Sequence, residues 1–251
     1  MFALMPEALC LDIAHRVGLV QAYAVALELC SKISLSDHSE WLPPYRNVTA
    51  TGLEKDKDQT KSVGYFEVEP VMTPQDLLSY LSLVPSDPRA RQLAALCRHL
   101  VCDLRSPMEC IMIGMFTLPF RMGGFNCGPF CCDFKIEFGD RAQAIAGMPY
   151  AVCDAYQEKA KIDLEYNGDA GHEQLASRIH DEKRNTALAS MGIEVLVVNK
   201  ETLCDLQAME AIAWHIHQRM NGQYRNRVKA QRTRQKALLT SLRASFGLLP
   251  N

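Results

Sequence analysis

Three acidic residues, Asp154, Asp163 and Glu165, fall within a stretch of strand-like sequence. Asp163 and Glu165 are two apart, so on a strand their side chains share a face. Asp154 lies near the end of the preceding strand-like run, and two antiparallel strands can bring such carboxylates within one metal's reach. Magnesium takes oxygen ligands in near-octahedral geometry and either activates a water or stabilises a phosphoryl transition state. The same acids also suit the polar face of half-buried strands, balanced by Lys135, Lys159 or Lys161. Spacing alone leaves both readings open.

The elements that must position these acids can be read around them. Ser106, Pro107, Met108 and Glu109 open a helix that runs through an apolar stretch to Leu118 and stops at Pro119, Gly123 and Gly124. Strand-like runs follow at Cys131 to Phe138, Tyr150 to Tyr156 and Lys161 to Tyr166, with the turn residues Gly139, Asp140 and Gly147 between the first two. Helical spacing resumes from His172 to Met191, and Gly192 suits a left-handed cap. Ile193 to Val198 reads as a short buried strand, and Thr202 to Met220 is helical again. Residues 106–220 are therefore expected to form one α/β domain of order αβββαβα with a mixed central sheet.

Residues 1–105 read as mainly helical. Leu9, Ile13, Val17, Val20, Ala24 and Leu27 recur at helical spacing, giving one or two helices between Pro6 and Ile33. Ser34 to Val71, with Pro43, Pro44 and the charged run Glu54 to Lys61, reads as a long connection. Thr73-Pro74 and Ser86 with Pro88 start two further helices, since a hydroxyl can cap free amides and proline is preorganised for the first turn. No internal repeat and no glycine-rich phosphate loop is present. Residues 221–251 form a basic tail. After Glu210 there is no acid, while Arg219, Arg225, Arg227, Lys229, Arg232, Arg234, Lys236 and Arg243 follow.

Beyond these patterns, one run resembles a known family. Cys153-Asp154-Ala155-Tyr156, then Ile162 to Gly168 reading I-D-L-E-Y-N-G, then His172, Asp181, Arg184, Leu188, Gly192 and Val195-Leu196-Val197-Val198, is similar to a restriction-endonuclease-like, PD-(D/E)XK, module. That module is related to very-short-patch repair endonucleases and forms the C-terminal domain of many bacterial proteins of abortive-infection antitoxin type. The likeness is strong over about 50 residues and extends more weakly back to Ser106, where S-P-x-E, L-P and G-G resemble the module's opening helix. It implies that Asp154 and Glu165 are the carboxylates of a Mg2+ or Mn2+ site, with Glu109 as an outer or bridging acid. His172 would donate a proton or contact the scissile phosphate.

Where the parent motif has a lysine two residues after the glutamate, this chain has Asn167, and Lys161 is the nearest replacement. Glu109 also fits an S-x-x-E capping box. Asp181 and Arg184, three apart on a helix, also fit an exposed ion pair.

The formal charge of −2 gives no general reason to expect a polyanionic partner, but the tail does. Arg225, Arg227, Lys229, Arg232, Arg234 and Lys236 are candidate phosphate contacts on DNA; a solvated helix is the plainer alternative. His215 and His217 alternate around Ile216 and do not suit a shared metal. The ten cysteines sit singly in apolar patterns or in a spacing, Cys127, Cys131 and Cys132, that matches no common zinc pair, so reduced thiols are expected.

No membrane partner is expected: charged residues interrupt the apolar start, and no run reaches the roughly 20 apolar residues of a membrane helix. The expected setting is a bacterial cytoplasm. The leading functional expectation is a metal-dependent nuclease, or a protein derived from one, acting on DNA. A catalytically inactive DNA-binding protein of the antitoxin or defence-associated kind is the alternative. A third reading uses residues 1–105 to bind a protein partner.

Overall fold

The computed structural model describes residues 5–35, 50–51, 65–168, 175–222, 224 and 229–247. Among these the chain is mixed α/β and divides into two compact units, Met1–Gly114 with Lys236–Asn251, and Met115–Gln235. No helix among the described residues is long and apolar enough to cross a membrane.

The first unit is built mainly from short helices. The periodicity between Pro6 and Ile33 resolves into α1 (Pro6–Arg16) and α2 (Leu19–Leu29). The stretch expected to be a plain connection contains three short strands, β1 (Ile33–Ser34), β2 (Ala50–Thr51) and β3 (Tyr65–Glu67), arranged antiparallel in the order β1-β3-β2. Two- and three-residue strands are too short to show alternation, which is why the pattern did not reveal them.

Next come α3 (Pro74–Ser82) and α4 (Pro88–Cys97). Thr73 caps α3 in a reciprocal box with Asp76, whereas the cap of α4 is Asp87 and not the neighbouring Ser86. Cys10, Ala22, Cys30, Leu77, Leu93 and Cys97 meet in the core of this unit. α5 (Pro107–Thr117) runs across the division of the chain at Gly114.

The second unit carries a four-stranded sheet. Its elements are β4 (Cys131–Glu137), α6 (Asp140–Ala146), β5 (Tyr150–Gln157), β6 (Ile162–Tyr166), α7 (Leu175–Ser190), β7 (Glu194–Val198), α8 (Lys200–Cys204) and α9 (Leu206–Arg219). Strands lie in the order β4-β5-β6-β7, with the first two pairings antiparallel and the last parallel. The mixed sheet agrees with the sequence pattern, but α6 stands where only turn residues were evident. Gly147, left-handed at φ 73°, closes α6, and Gly192, at φ 80°, follows α7 as expected.

β7 is an edge strand of the sheet and only partly the buried strand its apolar run suggested; Val198 is buried but Val197 is half exposed. Ile136, Ala151, Cys153, Tyr156, Ala187 and Leu188 form the core between sheet and α7. The tail contributes α10 (Lys229–Ser245), whose start belongs to the second unit and whose remainder belongs to the first. All ten cysteines are free.

Candidate functional site

β5 and β6 are joined by a tight turn, and that turn decides where the acids go. Gln157, fully buried, donates from Nε2 to the Cys127 carbonyl at 3.1 Å and accepts the Ala160 amide at 3.0 Å. Lys161 closes the turn with φ 51°, its amide donating to the Glu158 carbonyl at 3.2 Å. It is therefore a turn residue and not a strand residue, its side chain is exposed, and it does not line the cleft described below. This overturns the idea that Lys161 replaces the motif lysine. Lys135 is likewise used elsewhere, 2.6 Å from Glu137.

The described β5–β6 register covers only Tyr156↔Asp163 and Gln157↔Ile162, whereas β6 pairs with β7 along its whole length. Past Asp163 the space beside β6 is filled by Arg184 from α7. Its Nη2 donates to the Val152 carbonyl on β5 at 2.7 Å and to Asp163 Oδ2 at 3.1 Å, and its Nη1 pairs with Glu165 Oε1 at 2.5 Å. A guanidinium suits this place because its rigid fork of donors can serve two carboxylates and a carbonyl at once. The alternative of an exposed Asp181 to Arg184 pair is thus corrected: Arg184 is only 14% exposed and its acidic partners are on the sheet.

Asp163 is completely buried. Burial pushes its carboxyl above the usual range, and the Arg184 charge works against that shift. Oδ1 of Asp163 makes no hydrogen bond of ordinary geometry, although the Cys153 thiol and the Glu165 carboxyl are its neighbours. Glu165, 21% exposed, is pushed up to about 7, first by burial and then by the charge of Asp163, with Arg184 opposing. Arg184 stays protonated because Glu165 and Asp163 outweigh the effect of its own burial. Burial also raises the Cys153 thiol well beyond its ordinary range, which makes it a poor nucleophile.

Asp154 and Glu165 both line an open cleft of about 420 Å³, together with Val152, Asn167, Asp181 and Arg184. Glu182 is also on its wall, so among the described residues four acids face one cation there. Asp154 is exposed and its charge contributes to the raised carboxyl of Asp163. An acid-rich cleft of this kind repels a phosphate unless a cation enters. Two carboxylates suit Mg2+ or Mn2+, because magnesium commonly keeps several waters and takes one or two protein carboxylates alongside substrate phosphates. Among the described residues no three ligating side chains converge as a preformed metal cage. Asp154 and Glu165 are the two carboxylates of this cleft that such a sparsely held ion would take.

The other sequence candidates fare differently. His172 lies outside the described residues, as do Arg225 and Arg227, and the side chain of Lys229 is outside them too. Glu109 belongs to the first unit and caps α5: Oε1 accepts from Ser106 Oγ at 2.7 Å, Oε2 from the Arg105 amide at 2.9 Å. Arg232 pairs with Glu210 at 3.4 Å, so one tail cation already has an acid, while Arg234 and Lys236 are exposed on α10.

The two histidines of α9 do part company. His215 meets Glu194 at 2.9 Å, while buried His217 meets the Phe125 carbonyl at 2.9 Å and stacks on Phe120. What sequence reasoning missed is the role of Arg184. The signal available was Asp163 itself, flanked by Ile162 and Leu164 in an apolar strand where an ionised side chain requires a partner.

Searches of known protein families, of curated proteins and of solved structures each return no match to this chain.

Proposed function

We propose that the second unit is a restriction-endonuclease-like domain that acts on DNA as a metal-dependent nuclease, with Asp154 and Glu165 holding Mg2+ or Mn2+. The observation that carries this reading is that the two acids, on different strands, line the same open cleft. When bound, the ion supplies an activated water and charge for the phosphoryl group. Without the ion, Arg184 holds Glu165 against the sheet. Asn167, on the cleft wall, offers an amide that can donate to a phosphate oxygen but cannot act as a base. The exposed cations of α10 supply contacts to the DNA backbone that carry no sequence information.

A second reading, a nuclease-derived DNA-binding protein without catalysis, is favoured by two features of the same cleft. Arg184 already neutralises Glu165, and Asn167 stands where a lysine would help position the attacking water. The deciding experiment is nicking and cleavage of plasmid and linear DNA by the full chain with Mg2+ or Mn2+, beside Asp154→Ala and Glu165→Ala variants shown to be folded. Metal-dependent cutting that disappears in both variants supports the nuclease. Binding without cutting on any DNA substrate supports the inactive descendant.

A further inference from the structure

Arg184 is placed as no simple helix-orienting residue would be. It reaches from α7 into the sheet, where its two terminal nitrogens meet four acceptors: Val152 O at 2.7 Å and Asp163 Oδ2 at 3.1 Å on Nη2, Glu165 Oε1 at 2.5 Å and the neighbouring Asn185 Oδ1 at 3.1 Å on Nη1. The acceptors are unequal. The Val152 carbonyl is fixed backbone and Asp163 is fully buried, so these two anchor Nη2. Glu165 is the partner with solvent access, and it is also a wall of the cleft. The contact of Nη1 with Glu165 can therefore be given up while Nη2 keeps both of its acceptors and Nη1 keeps Asn185 Oδ1.

We propose that Arg184 is the resident cation of the cleft, and that it competes directly with a divalent ion for the carboxylate of Glu165. This rests on the two-carboxylate reading of Asp154 and Glu165. The physical reason is charge. Glu165 lies beside buried Asp163, and Arg184 supplies both with a cation from the chain itself. A divalent ion that takes Oε1 of Glu165 must displace Nη1, and an ion on either carboxylate oxygen is repelled by the guanidinium held nearby by Asp163. Ion binding is weaker than the carboxylates alone would give. Arg184 is thus a positioning residue: it holds Glu165 toward the sheet, and it sets the ion concentration at which the cleft fills.

The test is Mn2+ binding to the full chain, followed by the electron paramagnetic resonance signal of the free aquo ion. Wild type is compared with Arg184→Lys, which keeps the charge but loses the fork that serves both acids. It is also compared with the charge-balanced double variant Asp163→Asn/Arg184→Gln, which removes the buried ion pair as a unit. Circular dichroism verifies folding. Losing one charge-assisted contact to Glu165 should tighten Mn2+ binding by about tenfold or more. Asp154→Asn should abolish the gain.

A role in folding alone predicts the opposite, since loosening the site weakens an ion. Folded variants that bind Mn2+ as wild type does, or less well, overturn the competition and leave the two-carboxylate site standing, provided wild-type binding needs Asp154. No Mn2+ binding by wild type or variants overturns both. In wild type itself, Mg2+ should shift the nitrogen resonances of the Arg184 guanidinium. Resonances that stay fixed while Mg2+ binds also overturn the proposal.

Discussion

A carboxylate with no solvent exposure must be protonated or paired, and Asp163 is paired only on one side. Its neighbour Glu165 inherits the cost, which gives the site a pH signature. In a chelator, the folded carboxyl of Glu165 has its affinity for a proton raised from 4.5 to about 7. Below the lower value both folded and unfolded chains carry the proton, and the contribution of Glu165 to stability is complete. As pH rises toward 7 the unfolded chain gives up the proton easily while the folded chain does not, so stability is lost across that window. Wild type should therefore lose urea resistance relative to Glu165→Gln between these two values. A rising wild-type curve over the same window would mean that Arg184 holds Glu165 ionised. How much of this was legible follows from residue type: strand spacing put Asp163 and Glu165 on one face, and the antiparallel order of the two strand-like runs joined Asp154 to them. It could not show that Arg184 would prefer the sheet to Asp181 one turn away, because both are in reach of an arginine on a helix.

Among elements, those with long periods or strong caps were readable, and the short ones were not. α3 begins where Thr73 and Pro74 announce it, because capping chemistry is local. α6, seven residues between Gly139 and Gly147, is too short for a face to repeat, and its glycines read equally well as a turn. β7 carries an apolar run suited to a central strand, yet the order β4-β5-β6-β7 leaves it at the edge, a tertiary outcome that no strand encodes alone. The connection between α5 and β4 shows a constraint of another kind. A side chain at Gly124 would begin 1.9 Å from the Leu118 carbonyl oxygen, and that same oxygen accepts the Asn126 amide at 2.9 Å. The nearest obstacle is the Leu118 backbone carbonyl, so the loop cannot yield without straining that hydrogen bond. Gly124→Ala should cost at least about 3 kcal/mol, the upper end of ordinary overpacking. Urea denaturation measures it, and a loss under 1 kcal/mol would show that the loop relaxes freely.

For the molecule as a whole the proposed function raises a difficulty of charge: a chain of net −2 with an acid-rich cleft would have to hold a polyanion. Two contributions can meet it, a divalent ion in the cleft and the cations of α10, and they respond differently to salt. Each phosphate neutralised on duplex DNA adds about 0.9 to the slope of log affinity against log salt. Arg234 and Lys236 are exposed on α10, whereas Arg232 spends part of its charge on Glu210. Replacing Arg234 and Lys236 together by alanine should therefore lower the slope by about 1.8, with little dependence on DNA sequence, and Arg232→Ala should lower it by less than 0.9 on the same scale. Fluorescence anisotropy with a labelled duplex over a salt series reads both, with chelator present so that the cleft contributes no ion. An unchanged slope in the double variant would make α10 a solvated face, and whatever affinity remained would have to arise in the second unit or from the cations that precede this helix.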